Sequence, residues 1–148
     1  MIEYFPENNY QTKASTRRFL LDRLLFGSRW ALVAKFARIV FASRKLAVQG
    51  QYDDEAWVYS SYQTMTAIEG CGGRFEVTGL ENLRNLKKPV VFIANHMSTL
   101  ETLVLPVLIA PFLRVTFVVK DKLVHGSIFG PIMKSRNPVT VSRTDPRK

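Results

Sequence analysis

A continuous apolar run, Val90-Val91-Phe92-Ile93-Ala94, leads straight into the polar turn Asn95-His96-Met97-Ser98, and a second apolar stretch runs from Thr99 to Ile109. A short run without alternation, rich in β-branched residues, marks a strand buried on both faces, the habit of parallel sheets. The stretch after it has helical length, with Pro106 as a point where it can bend. The whole segment from Pro89 to Phe112 is long enough to cross a bilayer, but it contains His96, Glu101, Pro106 and Pro111. Placing a carboxylate in lipid costs roughly 3 kcal/mol on insertion scales, so a strand followed by a helix is the better reading.

The rest of the chain supplies companions for that unit. Arg74-Phe75-Glu76-Val77 alternates as a short strand, and Gly79 to Lys88 reads as a turn and a short amphipathic stretch. Val115–Val119 and Val139–Ser142 read as two further strands. Strands alternating with helical segments predict an α/β fold, here a partial, mostly parallel sheet flanked by helices and preceded by basic amphipathic helices. Those helices span Thr16 to Val48, with Gly27-Ser28 as a joint and Ser28 as a cap. Another helix runs from Tyr52 to Ile68, opened by Asp53-Asp54-Glu55 and stopped by Gly70. Residues 1–15 are polar and are expected to fray. The organisation is thus a tail (1–15), a basic and aromatic helical region (16–73) and an α/β region (74–148).

Charge is unevenly placed along the 148 residues. Residues 1–50 carry nine Lys/Arg against three acids, residues 111–148 eight against two, and the middle four against seven. Two basic ends suggest a polyanionic partner, whether lipid head groups, nucleic acid or a phosphorylated substrate. No helix-turn-helix, RNA-recognition or zinc-finger pattern is present, which argues against nucleic acid. Apolar Phe19, Leu20, Leu24, Leu25, Trp30, Val33 and Phe36 interleave with the basic residues of 13–45. A helix of that kind can lie in a membrane interface. It can equally pack on its own domain, because the charges do not collect on one face.

The first ten residues hold Glu3, Pro6 and Glu7, which is unlike a secretory signal, and the one cysteine leaves no internal disulfide. Both fit a cytoplasmic location. Cys71 reads as a small apolar residue at a helix end, since no basic residue within two positions would activate it. His125, before Gly126, reads as an exposed loop residue with no acid, cysteine or histidine at a metal-ligand spacing. No metal is expected.

Chemistry concentrates between Asn95 and Glu101, where an apolar strand ends and a helix begins, the usual place for a site in an open α/β sheet. Two readings stand side by side. Ser98-Thr99-Leu100-Glu101 fits a capping box, with Ser98 capping the helix and Glu101 folding back onto the cap amide. Alternatively, His96 in the turn and Glu101 in the first helical turn meet, and the carboxylate orients the imidazole as a base.

Asn95-His96, four residues and an acid after a Val/Ile/Phe strand resemble the first motif of the glycerolipid acyltransferases, the family containing 1-acylglycerol-3-phosphate acyltransferase. Val77-Thr78-Gly79-Leu80-Glu81-Asn82-Leu83 resembles that family's lead-in. Lys120-Asp121-Lys122-Leu123, Phe129-Gly130-Pro131-Ile132-Met133 and Val139-Thr140-Val141-Ser142-Arg143 resemble its stretch up to the second motif. The resemblance covers roughly residues 74 to 147, and the family's later Glu-Gly-Thr-Arg-like motif is not found, so the expectation is the front half of such a domain.

The resemblance implies an O-acyltransferase of phospholipid biosynthesis. It would move a fatty acyl group from an acyl-CoA or acyl carrier protein thioester to the hydroxyl of a lysophospholipid or glycerol phosphate. His96 is implied as general base, Glu101 stands where the family usually has aspartate, and Asn95, Ser98 and Arg143 are implied in substrate binding, Arg143 at a phosphate. No bound cofactor is implied; the acyl donor is a substrate. The implied setting is the cytoplasmic face of a membrane with anionic lipids, held peripherally. The alternative is a non-catalytic membrane-binding fragment of such an enzyme.

Overall fold

Asp53 opens the central helix: its carboxylate accepts the Ala56 amide at 2.9 Å, so one of the four orphan donors of the first turn is satisfied. The computed structural model describes residues 2–24, 27, 29–87 and 89–142. In it the chain runs β1 (Tyr10–Gln11), α1 (Leu20–Leu24), α2 (Arg29–Val48), α3 (Asp54–Gly70), β2 (Glu76–Val77), α4 (Glu81–Arg84), α5 (Leu100–Ile109), β3 (Val118–Lys120), α6 (Asp121–Val124), α7 (Phe129–Lys134) and β4 (Val139–Val141). Helix and strand mix as expected for an α/β chain, with two small sheets, one of them parallel.

The core forms where α3 packs between α2 and α5. Val58 and Met65 of α3 and Val107 of α5 are fully buried, and Trp57 meets Phe117 edge-on at 5.4 Å between ring centroids. Each such side chain contributes about 1.5–3 kcal/mol of burial. Gly27 joins α1 to α2 in a left-handed conformation (φ +68°), as the sequence indicates; the cap assigned to Ser28 falls outside the described residues. Gly70 departs from expectation. It is the last residue of α3 and not its stop, because the Phe19 ring lies where a Cβ would stand, 1.9 Å from the nearest ring carbon.

Residues 2–15 do not fray. Phe5 is buried, β1 pairs antiparallel with β2 (Tyr10↔Val77, Gln11↔Glu76), and Tyr4 stacks on Tyr62 at 4.1 Å. The Tyr10 hydroxyl donates to Glu69 Oε1 at 2.6 Å, the Thr12 hydroxyl donates to the same oxygen, and Thr12 Oγ1 accepts the Phe75 amide at 2.8 Å. Arg84 ties down the other end, pairing with Glu3 and donating to the carbonyls of Phe5 (3.0 Å) and Pro6 (2.7 Å). Polar residues that look like a solvated tail are thus a strap, since Glu69 and Arg84 supply partners far away in sequence.

The sheet also differs from expectation. Residues 90–94 run without a ladder partner among the described residues, and Ile93 is 93% exposed. A strand needs a neighbour beside it, and none of the described strands lies there. β3 begins three residues later than the expected Val115 and pairs parallel with β4 in the register Val118↔Val139, Val119↔Thr140 and Lys120↔Val141. Only Val119 of this pair is buried; β4 is exposed throughout, so the expected doubly covered strands are absent among the described residues.

Candidate active site

α5 starts on a dense local network. Glu101 folds back over the turn: Oε1 accepts the amides of Met97 (2.9 Å) and Ser98 (3.1 Å), and Oε2 accepts the Ser98 amide and hydroxyl, both at 3.2 Å. Ser98 Oγ in turn accepts the Leu100 amide at 3.0 Å. This is the reciprocal logic of a capping box, with the serine bond landing two residues on. Hydrogen bonds to the carboxylate, first from its own amide and then from those of Met97 and Ser98, hold the Glu101 carboxyl below the usual carboxylate range, against the opposing effect of burial.

The cap also brings the acid to the histidine. His96 Nδ1 stands 3.7 Å from Glu101 Oε2, and the imidazole is 71% exposed. That separation is an ionic contact, about half an ångström beyond a formed hydrogen bond. Catalytic hydrogen bonds in unliganded enzymes are commonly this loose and tighten around substrate. Among the described residues nothing engages Nε2. Capping and pairing, which the sequence offers as alternatives, therefore coexist in one carboxylate: Oε1 serves the backbone alone, while Oε2 is shared between Ser98 and His96.

The other residues singled out in the sequence divide. Asn95 is exposed in the same turn, and the Ser98 hydroxyl is occupied by Glu101 and the Leu100 amide. Arg143 lies outside the described residues. His125, read as having no acid at ligand spacing, ends α6 with Nε2 3.5 Å from Asp121, one helical turn back; no group of three metal-ligating side chains occurs among the described residues. Cys71 closes α3 through its amide, and burial pushes its thiol up, away from reactivity.

Two features escaped the sequence reading. A narrow cavity of about 60 Å³ lies behind the first turn of α5, its wall including Thr102 and Leu103 with Trp57, Phe117, Phe129 and Arg136. Arg136 is fixed there by an ion pair with Asp54 and by stacking over Trp57 at 4.4 Å. The Trp57, Phe117 and Arg136 that meet here are scattered over eighty residues, so no local pattern announces the cavity. The second is a serine of α3 that reaches into α5. Its signal was Pro106, which lacks an amide proton and so interrupts the ladder of α5 at a place where a foreign hydroxyl can enter.

No curated protein and no solved structure matches the chain. A family model described as Acyltransferase matches residues 74–148, half of the chain, and spans the His96 turn, α5 and the parallel β3–β4 pair. The chain belongs to the Acyltransferase family, whose chemistry joins an acyl donor to an acceptor.

Proposed function

We propose that the chain acts in transfer of a fatty acyl group from a thioester, of coenzyme A or acyl carrier protein, to the hydroxyl of a lysophospholipid or glycerol phosphate. The observation that carries this reading is the His96–Glu101 contact at 3.7 Å, with the carboxylate anchored by two backbone amides. In the tautomer with its proton on Nδ1, facing Glu101, the imidazole has Nε2 available as a base. Nε2 takes the proton of the acceptor hydroxyl as its oxygen attacks the thioester carbonyl. The tetrahedral oxyanion then collapses, the C–S bond breaks, and the imidazolium returns the proton to the departing thiolate. The products are an ester and a free thiol. Glu101 holds the ring and stabilises the transient imidazolium, as the acid of a catalytic triad does. Its extra methylene relative to aspartate is accommodated by the fold-back over the turn.

The same reading places the protein peripherally on anionic lipid at the cytoplasmic face of a membrane. α1 supports it: Leu20 (76%) and Leu24 (73%) are exposed, whereas Asp22 is 1% exposed, so the helix turns these two leucines outward. Asp22 Oδ2 faces Arg18 Nη1 at 3.3 Å, an ion pair without hydrogen-bond alignment. Trp30, Val33 and Phe41 of α2 are exposed as well, among basic side chains. Basic residues near an anionic surface contribute about 1 kcal/mol each. No helix among the described residues is long and apolar enough to cross a membrane.

The test is His96→Ala, assayed by thiol release from an acyl-CoA with a lysophospholipid acceptor. Turnover should fall about 10²–10⁴-fold, the usual worth of a positioned acid–base group, with no change in melting temperature, because the ring is exposed. Activity within a few-fold of the parent would reject His96 as the base. Lipid binding with no His96-dependent turnover would favour the non-catalytic membrane fragment.

A further inference from the structure

The Ser61 hydroxyl, buried in the middle of α3, enters the backbone of α5. It donates to the Leu103 carbonyl at 2.7 Å, with a longer contact to Val104 O at 3.1 Å, and accepts the Val107 amide at 3.0 Å. One hydroxyl thus takes up both members of a ladder pair, since Val107 is four residues after Leu103. It does so around Pro106, which supplies no amide proton of its own. A serine has one proton and two lone pairs to offer, and here the proton and one lone pair go to the neighbouring helix. The neighbouring Ser60 and Thr64 hydroxyls donate within α3, Ser60 to Trp57 O and Thr64 to Ser60 O.

Leu103 lies two residues after Glu101. The direction of its carbonyl sets the direction of the first turn of α5, and that turn carries the carboxylate. The His96–Glu101 separation is 3.7 Å, a little beyond hydrogen-bond length, so a small rotation of the turn decides whether the contact tightens or opens. We infer that Ser61 is a positioning residue for the acyl-transfer site: by joining Leu103 O to the Val107 amide beside Pro106 it fixes α5 so that Glu101 faces His96. The inference rests on the proposed roles of those two residues.

Ser61→Ala removes the hydroxyl that joins the Leu103 carbonyl to the Val107 amide, and the first turn is expected to rotate. The expected result is a kcat about 10–100-fold lower, the scale of an ångström-sized misplacement, with KM within about twofold because substrate contacts are unchanged. Ser61→Thr keeps the hydroxyl and should restore kcat to within a few-fold of the parent. Thr12→Ala is the control, since it removes a hydroxyl of similar burial in the strap and destabilises the chain without touching α5. A second readout needs no turnover: the amide protons of Met97 and Ser98, which donate to Glu101, should shift in the NMR spectrum of Ser61→Ala and not in that of Thr12→Ala. Equal kcat and equal amide shifts in Ser61→Ala and Thr12→Ala would overturn the inference. Full activity in His96→Ala rejects the base assignment separately, and the amide shifts then still decide whether Ser61 sets the turn.

Discussion

Two irregular segments of this chain meet opposite fates. Residues 2–15 are mostly polar yet tightly held, whereas residues 90–94 are wholly apolar yet exposed. In the first, Glu69 and Arg84 answer hydroxyls and carbonyls of the strap, and Phe5 and Tyr4 find α3 and its neighbours. In the second, strong strand-forming residues stand without a ladder. Hydrophobicity alone therefore does not decide burial; a partner surface does. The strap has distant polar side chains aimed at it, while the apolar run needs an adjacent strand, which is not among the described elements.

The largest expected contrast is between two truncations. Phe5→Ala should destabilise by about 3–5 kcal/mol, the cost of emptying an aromatic site in a core. Ile93→Ala should change stability by no more than about 0.5 kcal/mol, as at exposed positions. Denaturant titration of both variants checks the pair. A loss of several kcal/mol at Ile93 would mean that residues 90–94 are packed in solution, and the contrast would fail.

A smaller effect is expected in alkali. Burial, and then the hydrogen bond to Glu69, push the Tyr10 phenol up to about 12 from its ordinary 10.0. A group whose pKa is raised on folding adds stability below its unfolded value and loses it as pH climbs through the folded one. The strap should therefore hold fully below pH 10 and weaken as pH rises from 10.0 to about 12. Phenolate absorbance together with amide exchange at Gln11 and Thr12 would follow it. Tyr10→Phe should remove the last phenolate step; strap release well below pH 10.0 would break the account.

A small change in stability is also expected at the site. Glu101→Gln preserves the capping pattern, since Gln serves at that position, so the melting temperature should move by only a few degrees. Loss of the charge beside His96 should nevertheless lower turnover as strongly as loss of His96, the proposed base. The wild-type cap has an acid limit as well. The Glu101 carboxyl is held low, so its contribution is complete above the ordinary carboxylate pKa and disappears as pH falls through its own lower value. Protection of the Met97 and Ser98 amides, relative to their intrinsic exchange, should fall in that acid range in the parent and stay level in Glu101→Gln. Equal turnover in the Gln and Glu forms would reduce residue 101 to a cap.

The sequence by itself determined what is local. Asp53 as the opener of α3, Gly27 as a joint, helix from Leu100 to Ile109 and the fold-back of Glu101 onto Ser98 each depend on residues within a turn or two. Capping and helix propagation are short-range, so their signals survive in the linear order. The candidate site was legible in the sequence through its motif, Asn95-His96 with an acid at 101, and the structure shows that the cap also carries Glu101 to His96. Only the tertiary structure decided the rest: that Tyr10 and Thr12 share Glu69, that Phe19 dictates a glycine at 70, that Ser61 enters α5, and that 90–94 pairs with nothing described. Each joins or fails to join residues far apart in the chain. Strand pairing and buried polar contacts take their free energy from the partner, and the partner's position is a property of the packed molecule.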